Sequence, residues 1–382
     1  MRRSLLAAAA CTVLLFAWQA FAVYGNYHGN WTALFCTGAK MPVPASLHET
    51  IWTFKNSYGY DGQMYHYIAH DPWFKRGLDQ YVDARRMRYQ RILLPGLAHL
   101  LAFGEDRYVD AAYIVCVLLC IFLGSLWLGQ YAQLHRYSPW IGLAFAAVPA
   151  VLVSIDRLTV DVVLACLCVG FALFVERCPG WPLYTVLAVA PLARETGFIL
   201  LGSYVGALLL KRQFRRAAIF ITAGLPALAW YRFVALHTAT ENHASWFSLV
   251  PFSGYFQTLL HPVAYPFSLP VVAVARTLDY AALAGIGLAI GWVLILLYRR
   301  AIDPLAAAIY GFTALAAFLS LGEIWAEAYA YGRSFTPLLL LLAIVGLRTR
   351  RLAMAVPMLL VTPRILLQFA ALAYYAFGGK AL

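Results

Sequence analysis

Tyr58-Gly59-Tyr60-Asp61-Gly62-Gln63-Met64-Tyr65-His66-Tyr67-Ile68-Ala69-His70-Asp71-Pro72-Trp73 is a polar and aromatic stretch in a chain that is otherwise mostly apolar. Of the 382 residues, 63% are hydrophobic and 12% charged, and the mean hydropathy is +0.71. Soluble domains carry roughly a quarter charged residues. Apolar runs of about 20 residues recur with short gaps, the length that crosses a bilayer as a helix. The expected fold is an all-α polytopic transmembrane bundle, one integral membrane domain over residues 1–382. Tyr58–Trp73 then lies in its only long hydrophilic connection.

The net charge of +12 does not point to nucleic acid, because Lys and Arg sit mainly in short blocks between apolar runs, as membrane topology requires. The seven cysteines make neither a disulfide framework nor a CxxC metal site.

Working outward, Arg2-Arg3 precede an apolar run to Tyr24, which reads as a first span with a cytoplasmic N-terminus. Ala20-Phe21-Ala22 also fits a small-x-small cleavage site, so a removable signal peptide is the alternative. Residues 25–107 form an extracytoplasmic loop, too polar and irregular over most of its length for hydrocarbon. Within it, 62–70 reads as a short helix with Asp61 as N-cap and Pro72 just past its end. Ile92 to Phe103 is apolar but too short to span, and reads as an interfacial helix. Further spans fall at about 108–131, 139–155, 158–176, 181–193, 196–210, 217–237, 280–298, 303–321, 333–347 and 352–376, roughly eleven with the first. The pair 181–193 and 196–210 is short enough to be a tilted or re-entrant hairpin.

This count puts His135-Arg136, Glu176-Arg177, Lys211–Arg216, Arg299-Arg300 and Arg348–Arg351 on the cytoplasmic side. Asp156-Arg157, Arg194-Glu195, the loop from Thr238 to about Asp279, and Glu323–Tyr329 then share the outer side with Asp61. Ionisable residues gathered at one face of a bundle suggest a site at the lipid–water boundary.

Each candidate has a chemical and a structural reading. Asp61 is either a general base for an acceptor hydroxyl or a cap, and local pattern alone favours the cap. Asp71, before Pro72, either ends a helix or supports the acceptor or a divalent cation; no DxD pair accompanies it. Arg88 and Arg91 are one helical turn apart and suit one phosphate, of a lipid headgroup or of a lipid-linked donor. Arg194-Glu195 lies between two apolar runs, either as an ion pair or with Arg194 at a donor phosphate. Arg333 opens a span, and Arg364 follows Pro363 too deep in the last span for an anchor. His66, His70 and His99 show no recognised zinc-ligand spacing.

Tyr60-Asp61-Gly62-Gln63, followed by Tyr65 or His66, Ala69 and Asp71-Pro72, resembles the first-loop signature of bacterial members of the GT-C superfamily of polytopic glycosyltransferases. Arg88-x-x-Arg91-Ile92-x-x-Pro95 and Arg194-Glu195-Thr196-Gly197 are similar to further patches of those proteins. The resemblance covers the whole chain in layout and these patches in sequence. It implies Asp61 as catalytic carboxylate, with Arg88, Arg91 or Arg194 at the phosphate of a polyprenyl-phosphate sugar. Asp71, Gln63, Tyr65, Glu195 and Arg333 are the supporting substrate-binding candidates. The expected activity is inverting transfer of a sugar to a glycan, lipid or protein acceptor at the outer face of the bacterial cytoplasmic membrane. No cofactor or metal is expected, a divalent cation being the alternative. A transporter or flippase of a lipid-linked saccharide, and a non-catalytic scaffold in which Asp61 is only a cap, are the competing functions.

Overall fold

A lipid-soluble backbone must satisfy its amides internally, which a helix does along its own length. In the computed structural model, which describes residues 1–47, 49–242, 244–266 and 268–378, the chain is accordingly helical almost throughout. The helices are α1 (Arg2–Asn26), α2 (Asp61–His70), α3 (Arg85–Gln90), α4 (Leu93–Leu101), α5 (Asp106–Leu134), α6 (Pro149–Arg157), α7 (Asp161–Arg177), α8 (Trp181–Ala193) and α9 (Phe198–Leu210). They continue as α10 (Phe214–Ile221), α11 (Leu225–His237), α12 (Ser253–Leu260), α13 (Leu269–Tyr298), α14 (Pro304–Phe318), α15 (Gly322–Trp325), α16 (Ala328–Ser334), α17 (Thr336–Thr349) and α18 (Val356–Ala376). Two-residue strands, β1 (Thr37–Gly38) and β2 (Thr53–Phe54), pair in parallel between α1 and α2. Several helices carry proline at their first or second position, where its missing N–H costs nothing, and Asp303 caps α14 through the amides of Leu305 and Ala306.

Among the described residues, Arg2–Asn26, Asp106–Leu134, Phe214–His237, Leu269–Tyr298 and Leu352–Ala376 are long and apolar enough to cross a membrane. Counting Pro139–Ala147 with α6, and α16 with α17, as single spans bent by 57° and 59° gives up to seven. This is fewer than the eleven expected, and the physical reason is length. α7 has 17 residues, about 26 Å at 1.5 Å per residue, and α8, Glu195–Leu210 and α14 are shorter still. α13 starts at Leu269 rather than near 280, and α18 continues through Pro363 without a break. α4 matches the short apolar helix expected after Arg91, with Leu100 and Phe103 exposed.

The bundle gathers charge at two ends. At one end His135 Nε2 meets Glu176 at 2.9 Å, and Arg348 bridges Glu176 at 3.6 Å and Asp303 at 2.8 Å. All four come from the basic turns that the charge pattern assigned to one face, or from beside them. At the other end the segment carrying α2 to α4 docks on α11: Trp230 Nε1 donates to the Tyr89 carbonyl at 2.7 Å, and Arg86 Nη2 donates to that of Thr238 at 2.9 Å.

Gly62 sets how closely α2 approaches α6. A Cβ there would stand 2.1 Å from the Arg157 carbonyl oxygen and 2.8 Å from that of Phe35, both backbone atoms. Gly62→Ala is therefore expected to destabilise the detergent-solubilised protein by about 1–3 kcal/mol through overpacking. Gly202→Ala, in a helix with nothing within 4 Å of the added carbon, should leave stability unchanged or raise it by up to about 1 kcal/mol. Thermal unfolding of the two variants side by side checks this.

Candidate functional site

α2 begins on Asp61 itself, with extended Tyr60 as its N-cap residue and no side-chain cap. Asp61 was expected to cap these amides, but its carboxylate is drawn away from them by two guanidinium groups. Arg88 Nη2 lies 2.9 Å from Oδ1, and Arg333 Nη1 lies 2.5 Å from Oδ2. Arg88 reaches Asp61 from α3, the next α-helix downstream, whereas Arg333 arrives on α16 from much later in the chain.

The pairing extends into a network. Arg333 Nη1 is also 3.1 Å from Asp161 Oδ2, and Arg194 donates to Asp161 Oδ1. Arg91 holds Glu195 with two parallel bonds of 2.8 and 2.7 Å, and its Nη1 donates to the Tyr65 hydroxyl at 3.2 Å. Arg88 lies over the Tyr65 ring at 5.6 Å and donates through Nε to Asp83 at 2.9 Å. Thus Arg194 and Glu195, adjacent in sequence, take different partners, and so do Arg88 and Arg91. Asp61, Tyr65, Arg88, Arg91, Arg194, Glu195 and Arg333 converge.

Arg88, Arg91 and Asp161 are each less than a tenth exposed, so their charges interact with little screening by water. Burial works to raise the pKa of Asp61. The charges of Arg333 and then Arg88 outweigh it and hold the carboxyl well below the usual carboxylate range. A depressed carboxyl contributes stability that is complete above its unfolded value and lost only as pH falls through the folded one. Two guanidinium Nε atoms, of Arg194 and Arg333, and the Tyr60 hydroxyl are buried without a hydrogen-bond partner. Unsatisfied cationic donors beside a carboxylate suit a phosphate oxygen.

Asp71 and Gln63 do not join this group. Asp71 accepts the backbone N–H of Lys75 and Arg76 at 2.8 Å each and of Leu78 at 3.3 Å, so it organises the turn after α2. Gln63 accepts from Gly38 N at 3.1 Å and donates to the Tyr58 carbonyl at 2.8 Å, tying β1 to the approach to α2. His99 Nδ1 faces the Ala69 carbonyl at 3.0 Å.

Asp161 belongs to no motif. Its signal in sequence is a carboxylate set in the apolar run Leu158-Thr159-Val160-Asp161-Val162-Val163-Leu164, where a charge is tolerated only with a partner. Asp156-Arg157 was visible as an outer-turn pair. In the structure Arg157 Nε meets Asp156 Oδ2 at 2.9 Å, and the Tyr329 hydroxyl donates to the same oxygen.

A cavity of about 530 Å³ opens beside the network, bordered by Tyr60, Arg157, Glu327, Tyr329 and Arg364 and otherwise largely apolar. Arg364 is not a lone deep charge: its Nε meets Asp279 at 2.7 Å, and its Nη2 meets the Tyr265 hydroxyl at 3.0 Å. Tyr60 lines the cavity and Asp61 does not. The Tyr60 ring lies under Arg333 at 4.9 Å and under Arg157 at 5.4 Å, so it stands where the cavity meets the network. A second cavity of about 510 Å³ shares Arg157 with the first. No protein-family model, curated protein or solved structure matches this chain.

Asp161→Asn removes the carboxylate that Arg194 and Arg333 share. The expected cost is about 3–5 kcal/mol, the penalty for breaking a buried pair from one side. Arg85→Ala breaks the more exposed 3.3 Å pair with Asp79 and should cost less than about 1 kcal/mol. Denaturant titration of both variants in detergent measures the contrast.

Proposed function

We propose that this chain is an inverting glycosyltransferase of the GT-C type, moving a sugar from a polyprenyl-phosphate carrier to an acceptor hydroxyl at the outer face of the bacterial cytoplasmic membrane. The observation that carries the reading is the convergence on Asp61 of Arg88 and Arg333, with Arg91, Arg194, Asp161 and Glu195 completing a buried network. A carboxylate held by guanidinium groups, with further ion pairs around it, is the equipment this transfer needs. The base takes the proton of the acceptor hydroxyl as that oxygen bonds to the anomeric carbon. The bond from that carbon to the phosphate oxygen breaks, and polyprenyl phosphate leaves with the electron pair, its growing charge met by arginine. A phosphate leaves as a stable anion, so no second carboxylate is required as acid, unlike glycoside hydrolysis.

In the reading proposed, the arginine clamp holds Asp61 in reserve. A carboxylate kept this far below its ordinary range is a weak base. A donor phosphate competes with Asp61 for Arg88 and Arg333, and as it takes them the Asp61 pKa rises toward the range useful for catalysis. The unpartnered Nε atoms of Arg194 and Arg333 are donors left over for the phosphate once it has entered the network. The largely apolar cavity at Tyr60 offers room for the first isoprene units. The proposal includes about eleven membrane passages, with the shorter apolar helices crossing as part of the bundle, a cytoplasmic N-terminus, and residues 25–107 on the outer side with the network.

Asp61→Asn is expected to lower sugar transfer by about 10²–10⁴-fold, the range for losing a general base. The same variant should bind polyprenyl phosphate at least as tightly as the wild type, because the competing carboxylate charge is gone. Transfer at the normal rate by a folded, inserted Asp61→Asn protein would overturn the assignment. Movement of a lipid-linked sugar across vesicles without a new glycosidic bond would instead make the protein a flippase.

A further inference from the structure

On the opposite side of α2 from the arginine network, four side chains aim donor atoms at one point: Glu49, His66, His70 and Asp110. One ligand atom from each lies within 4.8 Å of the others. His66 and His70 are one helical turn apart on α2 and share a face. Glu49 comes from the irregular segment before β2, and Asp110 from the first turns of α5.

Four of the six distances among these ligand atoms bracket the edge of a tetrahedral coordination shell. His66 Nε2 is 3.0 Å from Glu49 Oε1 and 2.8 Å from Asp110 Oδ1, and His70 Nε2 is 3.6 and 3.7 Å from the same two oxygens. Ligands about 2.0–2.1 Å from a tetrahedral zinc ion stand roughly 3.3 Å from one another. Hydrogen bonding does not account for the arrangement. Glu49 Oε1, His66 Nε2, His70 Nε2 and Asp110 Oδ1 are all buried, and none has a partner at hydrogen-bonding geometry. Each imidazole Nε2 carries one hydrogen or one lone pair, yet each faces two carboxylate oxygens. Both histidines are fully buried to within 2%, where unsatisfied polar atoms are expensive.

The surroundings prepare His70 as a ligand. Asp106 Oδ1 lies 2.7 Å from His70 Nδ1, and Arg76 fixes that carboxylate with bonds of 2.6 and 2.8 Å. With its hydrogen held at Nδ1, His70 presents the Nε2 lone pair to the cluster, the carboxylate–histidine–metal arrangement common in zinc proteins. The His66 ring is stacked on Phe35 at 4.0 Å, which fixes its plane. A cavity of about 370 Å³ bordered by Glu49, His70, Asp106 and Arg107 gives an approach for the ion.

We infer that Glu49, His66, His70 and Asp110 form a structural binding site for one divalent transition-metal ion, with zinc the best match to two imidazoles and two carboxylates. The ion ties Glu49, α2 and the start of α5 together. Because α2 carries Asp61 at its other end, the ion positions the arginine-clamped carboxylate without touching it.

Metal analysis of the full-length protein, purified in detergent without added chelator, tests this directly. About one zinc per chain is expected in the wild type, and background levels in His70→Ala and in the gentler Glu49→Gln. Chelation should lower the Tm of the wild type and added zinc should restore it, a readout that stands even where a variant fails to fold. Cobalt added to the stripped protein should give the visible absorption of a tetrahedral site. A wild type with no bound zinc, no cobalt spectrum and a Tm indifferent to chelator would overturn the inference and leave a protonated His66 between two carboxylates. Zinc retained in full by folded His70→Ala and Glu49→Gln, or binding of calcium alone, would overturn it equally.

Discussion

The candidate site depends on one buried ionic contact, Asp61 between Arg88 and Arg333. Each of these charges would be costly alone in surroundings this dry, and each becomes tolerable because the others are there. The contact joins parts of the chain more than two hundred residues apart, since Arg333 stands on α16 and Asp61 and Arg88 lie between α1 and α5. Asp161 then links Arg333 to Arg194, and so brings α7 and the break between α8 and α9 to the same place. Several helix ends meet there because their charges have few other partners. The close approach of α2 to α6 through Gly62 sets the distance at which this happens.

Much of this was legible in the sequence, and the misses have physical causes. Helical class followed from apolar runs, and the charge pattern grouped the turns that the structure brings together around Glu176 and Arg348. The eleven runs read from hydropathy include α7, α8, α9 and α14, which are short for a lone span, because hydropathy alone does not register where a helix ends. The run at 139–155 contains a 57° bend, and the one at 333–347 a 59° bend against α16. Asp61, Arg88, Arg91, Arg194, Glu195 and Arg333 were each visible as charges with doubtful surroundings, but their pairing was not. The adjacent Arg194 and Glu195 take partners far along the chain. Asp71 carried the same local signal as Asp61, a carboxylate in a polar aromatic stretch, and only the backbone amides at its oxygens separate their roles.

α2 has two chemically different faces within ten residues. Its first turn presents a carboxylate to arginine; its later turns present two imidazoles to carboxylates. The first arrangement is rich in guanidinium donors and suits an anion, whereas the second lacks hydrogen-bond partners at its inner atoms and suits a cation. His66 and His70 gave no recognised ligand motif because the other two donors lie on separate segments, at Glu49 and Asp110. A short helix held firmly from one side gives the other side a fixed geometry, which the general base of the proposed function would require.

In the proposed function, donor phosphate displaces Asp61 from its arginine partners. A structure of the protein with a non-hydrolysable polyprenyl-phosphonate sugar tests this most directly. The phosphonate is expected bonded to Arg88 and Arg333, with the Asp61 carboxylate released toward the anomeric carbon. A ligand bound at Arg157 or Arg364 with both Asp61 ion pairs intact would contradict it.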